Sequence, residues 1–226
     1  MSLQVLKILS KLYIKSGAVD LGNPRDTLVA TLLSARTRDE QVLKVFPAFK
    51  KCFPTWKKLA QASLADIERS IKSINYYHTK SRALKSLAQK IITDFHGKVP
   101  QTMEELITLP GVGRKTASCV LSYEFNTPAI AVDTHVYRVT RRLGWSNSQK
   151  RDDVEKDLQK LIPKKHWNTI NRVFVPFGRE FCKPQNPRCS TCPIAKYCRY
   201  QLKNHSSSRV HQVKSLKFIK RSLSYS

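Results

Sequence analysis

Lys115 stands in the run LPGVGRKTASCV, behind two glycines spaced two apart, where a helix is expected to open. A helix N-terminus carries partial positive charge and unpaired N–H groups, so an ammonium ion there is disfavoured and a neutral, nucleophilic amine is favoured. A turn followed by a solvated lysine is the plainer alternative, since a lone glycine motif is weak. The same glycines, Gly111 and Gly113, would let backbone N–H groups approach a phosphate closely without reading sequence. Asp133, just before THVYRV, has two compatible uses: a cap for the helix that follows, or a carboxylate near developing positive charge.

A third group is CKPQNPRCSTCPIAKYC, which places Cys182, Cys189, Cys192 and Cys198 in the pattern C-x6-C-x2-C-x5-C. Four thiolates in one short loop can hold a tetrahedral zinc or an iron–sulfur cluster. A structural zinc usually takes two C-x2-C pairs, and only one is present, so the spacing favours iron–sulfur. The loop between the first two ligands carries Lys183 and Arg188 and no acid. Pinned by a metal, it would hold both cations toward a phosphate backbone. Cys52 and Cys119 fall outside the pattern and read as small core residues.

The elements that must position these groups are helical. Apolar spacing and capping signals predict helices over 3–15, 25–36, 39–51, 55–61, 64–72, 79–95, 103–108, 114–125, 134–143, 150–161 and 166–179, with no alternating strand. GNPRD before the second helix, Gly97, the Thr102/Glu105 capping box and Gly144 punctuate them. The predicted fold is all-α. Residues 204–226 read as a serine-rich break followed by a basic tail.

Composition narrows the partner. Lys and Arg outnumber Asp and Glu by 41 to 16, a net charge of +25, and no acid follows Glu180. A field of that strength gathers polyanions, and nucleic acid is the expected partner. No apolar run approaches the ~18 residues needed to span a bilayer. The opening MSLQVLKILSKLYIK is an amphipathic helix, not a signal peptide, which predicts an intracellular protein of the cytoplasm or nucleoid.

Taken in order, TLLSARTRDEQVLKVFP, IKSINYYHTKSRALKSLAQKI, LPGVGRKTASCVLSYEFNTPAIAVDTHVYRVTRRLG and the four-cysteine loop resemble an endonuclease III type DNA glycosylase of the helix-hairpin-helix superfamily. The resemblance covers nearly everything before residue 204. It implies two helical domains with a DNA cleft between them: a six-helix domain with the hairpin, placed at 18–128, and a [4Fe-4S] domain, placed at 1–17 plus 129–203. It puts the family's catalytic lysine on Lys115, its catalytic aspartate on Asp133 and its cluster ligands on the four cysteines. The implied activity is excision of oxidised pyrimidines through a lysine Schiff base, then β-elimination at the abasic site. The implied enzyme is a monomer acting on damaged duplex DNA in base excision repair.

The DNA contacts expected are Gly111, Gly113, Arg114, Arg36, Tyr76, Lys183, Arg188 and His135. Two of them depart from the family. Where members usually carry a leucine after a glycine as the wedge that fills the gap left by an extruded base, this chain has Asn75 and Tyr76. Where glutamine is common, it has Arg36, which can donate a forked pair of hydrogen bonds to guanine or grip a phosphate. His135 could orient Asp133, touch phosphate or simply pack in the core. Other readings are a mismatch-specific uracil or thymine glycosylase, an adenine-specific relative, or a non-catalytic DNA-binding module. Lys115 weighs against the usual monofunctional versions, and pure binding needs neither Lys115 nor Asp133.

Overall fold

The computed structural model describes residues 1–13 and 22–200, and the tail expected at 204–226 lies outside them. Among the described residues the chain is helical throughout, with no strand. The α-helices are α1 Ser2–Tyr13, α2 Pro24–Ser34, α3 Asp39–Cys52, α4 Trp56–Gln61, α5 Leu64–Ser70 and α6 Tyr77–Phe95. They continue with α7 Met103–Leu106, α8 Arg114–Glu124, α9 Thr134–Leu143, α10 Arg151–Leu161 and α11 Trp167–Glu180.

Local chemistry explains most boundaries. Asn23 caps α2 by accepting from Asp26 N at 2.9 Å, with Pro24 at the first helical position, where a missing N–H costs nothing. Thr55 and Ser63 cap α4 and α5 in the same way. Thr102 Oγ1 accepts from Glu105 N at 3.2 Å, the capping half of the box, and the same hydroxyl donates to Glu105 Oε2 at 2.7 Å, so the glutamate is held by the side chain and not by the Thr102 backbone. Several expected bounds shift by one or two residues, and two of the shifts have a local cause. α6 begins at Tyr77, earlier than the predicted residue 79, because Tyr76 takes left-handed backbone (φ +59°) as its cap. α7 stops at Leu106 because Thr108 N and Thr108 Oγ1 both turn back to Glu105 O, tightening the chain.

The described residues form two compact units: 22–131 with Lys164–Asn168, and 1–13 with 132–163 and 169–200. The first holds α2 to α8. Its core joins Leu28 and Leu33 of α2, Phe49 of α3, Leu59 of α4, Ile67 of α5, Leu84 and Leu87 of α6, and Val120 of α8, all at most 1% exposed. α6 packs on α4 and α5, and α2 packs on α8. Residues 164–168 belong here because Asn168 bridges the loop after α8, accepting from Ala129 N at 3.0 Å and donating to Asn126 Oδ1 at 3.2 Å. No sequence signal marks that excursion.

The second unit is built from α1, α9, α10, α11 and the cysteine loop. Val5 and Leu9 of α1, Val136 and Leu143 of α9, Val154 and Leu158 of α10, and Ile170 and Phe174 of α11 are buried in it. Tyr13 Oη donates to Glu180 Oε2 at 2.7 Å, tying α1 to the end of α11. Burial first, and then the Glu180 carboxylate, push the Tyr13 phenol above its ordinary pKa, so it remains a donor at any working pH.

Candidate active site and iron–sulfur loop

The lysine sits on a hairpin whose turn is fixed from behind. Leu109 and Val112 are buried, and Val112 N donates to Leu109 O at 3.1 Å to close the turn between α7 and α8. Gly111 is left-handed at φ +76°, and a Cβ there would lie 3.0 Å from both Ala83 Cβ of α6 and Leu32 Cδ1 of α2. Gly111 thus seats the turn on the α2/α6 pair. Gly113 differs: its backbone is extended (φ −98°, ψ 174°), it caps α8 through the main chain, and a Cβ would meet open space.

These two glycines should respond differently. Gly111→Ala combines left-handed strain with a tight internal contact and should destabilise the protein by about 2 kcal/mol. Gly113→Ala should cost below about 1 kcal/mol, the difference between glycine and alanine as a helix cap. Urea unfolding of the two variants measures the gap.

Arg114 is exposed and Lys115 half-buried at the first two positions of α8, directly after the hairpin turn. Thr116 to Ser122 behind them are buried and anchor the helix.

In the second unit, Asp133 caps α9, accepting from His135 N at 2.9 Å and Val136 N at 2.7 Å. Both bonds fall on Oδ1, so Oδ2 keeps its lone pairs available. His135 packs at Gly178 of α11, where an added Cβ would come 2.9 Å from its Nδ1, and that nitrogen lies 3.1 Å from Arg138 Nη2. The structure therefore places His135 in the seam between α9 and α11.

Two arginines that sequence reasoning passed over organise the cysteine loop. Arg138 Nε donates to Cys182 O at 2.8 Å and Nη2 to Gly178 O at 3.0 Å. One turn on, Arg142 donates to Cys182 Sγ at 3.3 Å, Lys183 O at 2.7 Å and Pro184 O at 2.9 Å, and its guanidinium lies 4.6 Å from the centre of the Tyr200 ring. Their four-residue spacing on α9 puts them on one face, which is the only sequence signal that could have found them. In a chain this basic, that signal reads more naturally as phosphate contact.

Cys182, Cys189, Cys192 and Cys198 line one pocket, with Leu143, Phe177 and Ile194 among its apolar walls. All four are free thiols. Among the described residues no group of three or more His, Cys, Asp and Glu side chains is drawn close enough to hold one metal ion. Burial pushes the Cys189 thiol up and the Cys192 thiol to about 11, and the neighbouring sulfurs add to both. A cationic metal is what would turn thiols such as Cys189 and Cys192 into thiolates here. Arg142 supplies the hydrogen bond that a cluster-bound sulfur typically receives. The donor set fits an iron–sulfur cluster. Lys183 and Arg188 are exposed on the loop it would pin.

In the first unit, Arg36 and Tyr76 are both exposed and near each other, the guanidinium carbon 5.7 Å from the Tyr76 ring centre.

Comparison with known proteins identifies the family. Residues 29–164, more than half of the chain, match the family described as HhH-GPD superfamily base excision DNA repair protein. Residues 182–198 match the iron–sulfur binding domain of endonuclease III. The chain is 40% identical over 178 residues to endonuclease III of Thermotoga maritima, covering 79% of this chain and 84% of that one. It is 41% identical over 180 residues to the Bacillus subtilis enzyme, covering 78% and 81%. Its fold is similar to that of a trapped endonuclease III–DNA covalent intermediate, with a TM-score of 0.85 and 37% identity over 91% of this chain and 99% of that one. The chain belongs to the HhH-GPD superfamily of base excision DNA repair proteins and, within it, to the endonuclease III family of DNA glycosylase and AP lyase enzymes, with that family's iron–sulfur domain.

Proposed function

We propose that this protein excises oxidised pyrimidines from duplex DNA and cleaves the resulting abasic site, with Lys115 as nucleophile and Asp133 as its electrostatic partner. The observation that carries the reading is Lys115 itself, half-buried in the first turn of α8 behind the hairpin. A module that only bound DNA would need a cation there at most, and no nucleophile.

The chemistry follows from the two side chains. As the bond between C1′ and the base nitrogen breaks, its electron pair leaves with the base and positive charge builds on the sugar. The carboxylate of Asp133 stabilises that charge and accepts the proton that the attacking amine must lose. The Lys115 amine forms a bond to C1′, the sugar ring opens, and an iminium ion results. That cation acidifies the C2′ proton, and removal of the proton expels the 3′ phosphate with the C3′–O electron pair.

Cys182, Cys189, Cys192 and Cys198 would hold the [4Fe-4S] cluster, whose contribution is to fix the loop bearing Lys183 and Arg188. Those cations, Arg114 and the backbone N–H groups at Gly111 and Gly113 grip phosphates, while His135 holds the start of α9 against α11. A monomer suffices for this, and the place of work is the DNA of the cytoplasm or nucleoid. Among the described residues no helix is long and apolar enough to cross a membrane.

Borohydride trapping on a duplex carrying one oxidised pyrimidine tests the reading. A covalent adduct together with a β-elimination product is expected. Base release with no adduct would mean a water-using, monofunctional enzyme. No release at all, with activity instead on guanine–thymine or guanine–uracil mismatches, would overturn the substrate assignment.

A further inference from the structure

The hairpin occupies one end of the first unit, where Gly111 seats it on Leu32 in the last turn of α2. At the opposite end of that helix, Lys50 in the last turn of α3 pairs with Asp26 in the first turn of α2, so the two helices run antiparallel. Arg25 Nη1 also meets Asp26 Oδ1, at 2.8 Å, its Nη2 donates to Phe53 O, and its guanidinium lies 5.4 Å from the centre of the Trp56 ring. These contacts pin the bend from α3 into α4 beside the start of α2, with Phe53 and Trp56 buried in the core. From Arg25 to Leu32 the axis of α2 carries this bend about 10 Å away from the hairpin.

The bend carries cations that no acid of the fold accounts for. Between Glu40 and Asp66 the chain has five lysines and no acid. Lys50 is taken by Asp26, whereas Lys51, Lys57 and Lys58 are exposed and, among the described residues, none of the three makes an ion pair. The dipole of α3 favours a cation in its last turn, but Lys57 and Lys58 stand in the first turn of α4, where a dipole disfavours them. Thr55 Oγ1 accepts from Lys58 N at 3.2 Å, which holds the backbone beneath them. The patch has no exposed aromatic ring and no exposed arginine, so it offers point charges without a stacking surface or a forked donor.

We propose that Lys51, Lys57 and Lys58 form a second DNA surface, which takes the phosphate backbone of another duplex segment while the hairpin end holds the first. This goes beyond excision and rests on the hairpin end being the one that grips the lesion. Point charges that cannot read a base fit a phosphate backbone, whose contacts carry no sequence information. A long DNA held at the hairpin raises the local concentration of its own further segments, so the second partner is at hand. Three such contacts give weak binding with a steep response to salt, which suits capture and release. A protein so equipped reaches the next segment before it leaves the last.

The test is energy transfer between a donor-labelled duplex carrying a non-cleavable abasic analogue and an acceptor-labelled undamaged duplex, mixed with limiting full-length protein. Transfer is expected, and log affinity for the second duplex should fall against log salt with a slope of about −3. Lys51→Glu/Lys57→Glu/Lys58→Glu should weaken capture of the second duplex by about 10-fold or more, and the corresponding glutamine set by less. Affinity for the lesion duplex alone should stay within about 2-fold, because the patch lies beyond the Debye length of about 8 Å at physiological salt. Lys150→Glu/Lys160→Glu/Lys164→Glu, three exposed lysines with the same change of net charge, should leave capture intact. No transfer with the wild type, equal transfer with the patch variant, or an equal loss in the control would overturn the proposal. So would a second event that takes single-stranded RNA and refuses duplex DNA. Excision is measured separately on a duplex with an oxidised pyrimidine: a protein that bridges two duplexes but releases no base would sink the proposed reaction and leave this surface intact.

Discussion

Lys115→Gln should abolish the borohydride-trapped adduct and the β-elimination product, and lower excision by on the order of 10⁴-fold, as for loss of an enzyme nucleophile. The argument is one of subtraction. Glutamine keeps polarity and most of the length, its helix propensity is close to that of lysine, and the position is only half-buried, so α8 and the hairpin should stand. What disappears is an amine able to bond to C1′ and form an iminium ion. The melting temperature should move by no more than about 2 °C, and affinity for a duplex with a non-cleavable abasic analogue should fall modestly, in step with one lost cation. An adduct that survives in the variant would show that another amine is the nucleophile. Arg114 could not be it, because a guanidinium has no free lone pair to give to carbon.

The groups that sequence alone disclosed are those whose geometry is local. The head of α8 follows from two glycines and a buried helix, the cap of α9 from an aspartate before an apolar turn, and the cluster loop from four cysteines within one short segment. Capping boxes and left-handed stops, such as Thr102 with Glu105 and Gly144, marked helix ends because their partners lie within a few residues. What sequence did not disclose depends on distant partners. Arg138 and Arg142 bind a loop some forty residues downstream. A lysine on α6 would ordinarily be read as solvated, yet Lys80 is buried by carbonyls more than forty residues before it. Tyr76 gives no hint of left-handed backbone, and the clamp from Asn75 beside it reaches Arg36, 39 residues before it. Residues 164–168 return to the first unit for the sake of one asparagine side chain. Each case is a long-range hydrogen bond made by a residue type whose usual place is in water.

Asp133 allows the structural and chemical uses of one carboxylate to be separated. Its Oδ1 accepts both capping bonds, from His135 N and Val136 N, and the proposed reaction assigns the carboxylate's charge to the sugar. Asparagine presents a carbonyl oxygen to the same two N–H groups and ranks with aspartate as a cap. Asp133→Asn should therefore hold the melting temperature within a few degrees while removing the negative charge. Serine caps equally well and carries no charge, so Asp133→Ser should behave alike. Both variants should lose on the order of 10²-fold to 10⁴-fold in excision, the range associated with a proton acceptor or a charge aimed at a developing cation. Alanine should add a structural defect of about 1 kcal/mol, because the N–H groups of His135 and Val136 lose their acceptor. Single-turnover excision and thermal unfolding, measured on the same three proteins, decide the matter. Activity that follows stability, with the asparagine and serine variants active and the alanine variant weak, would reduce Asp133 to a helix cap. Activity lost in all three, with stability lost only in the last, would show that the carboxylate is needed for its charge.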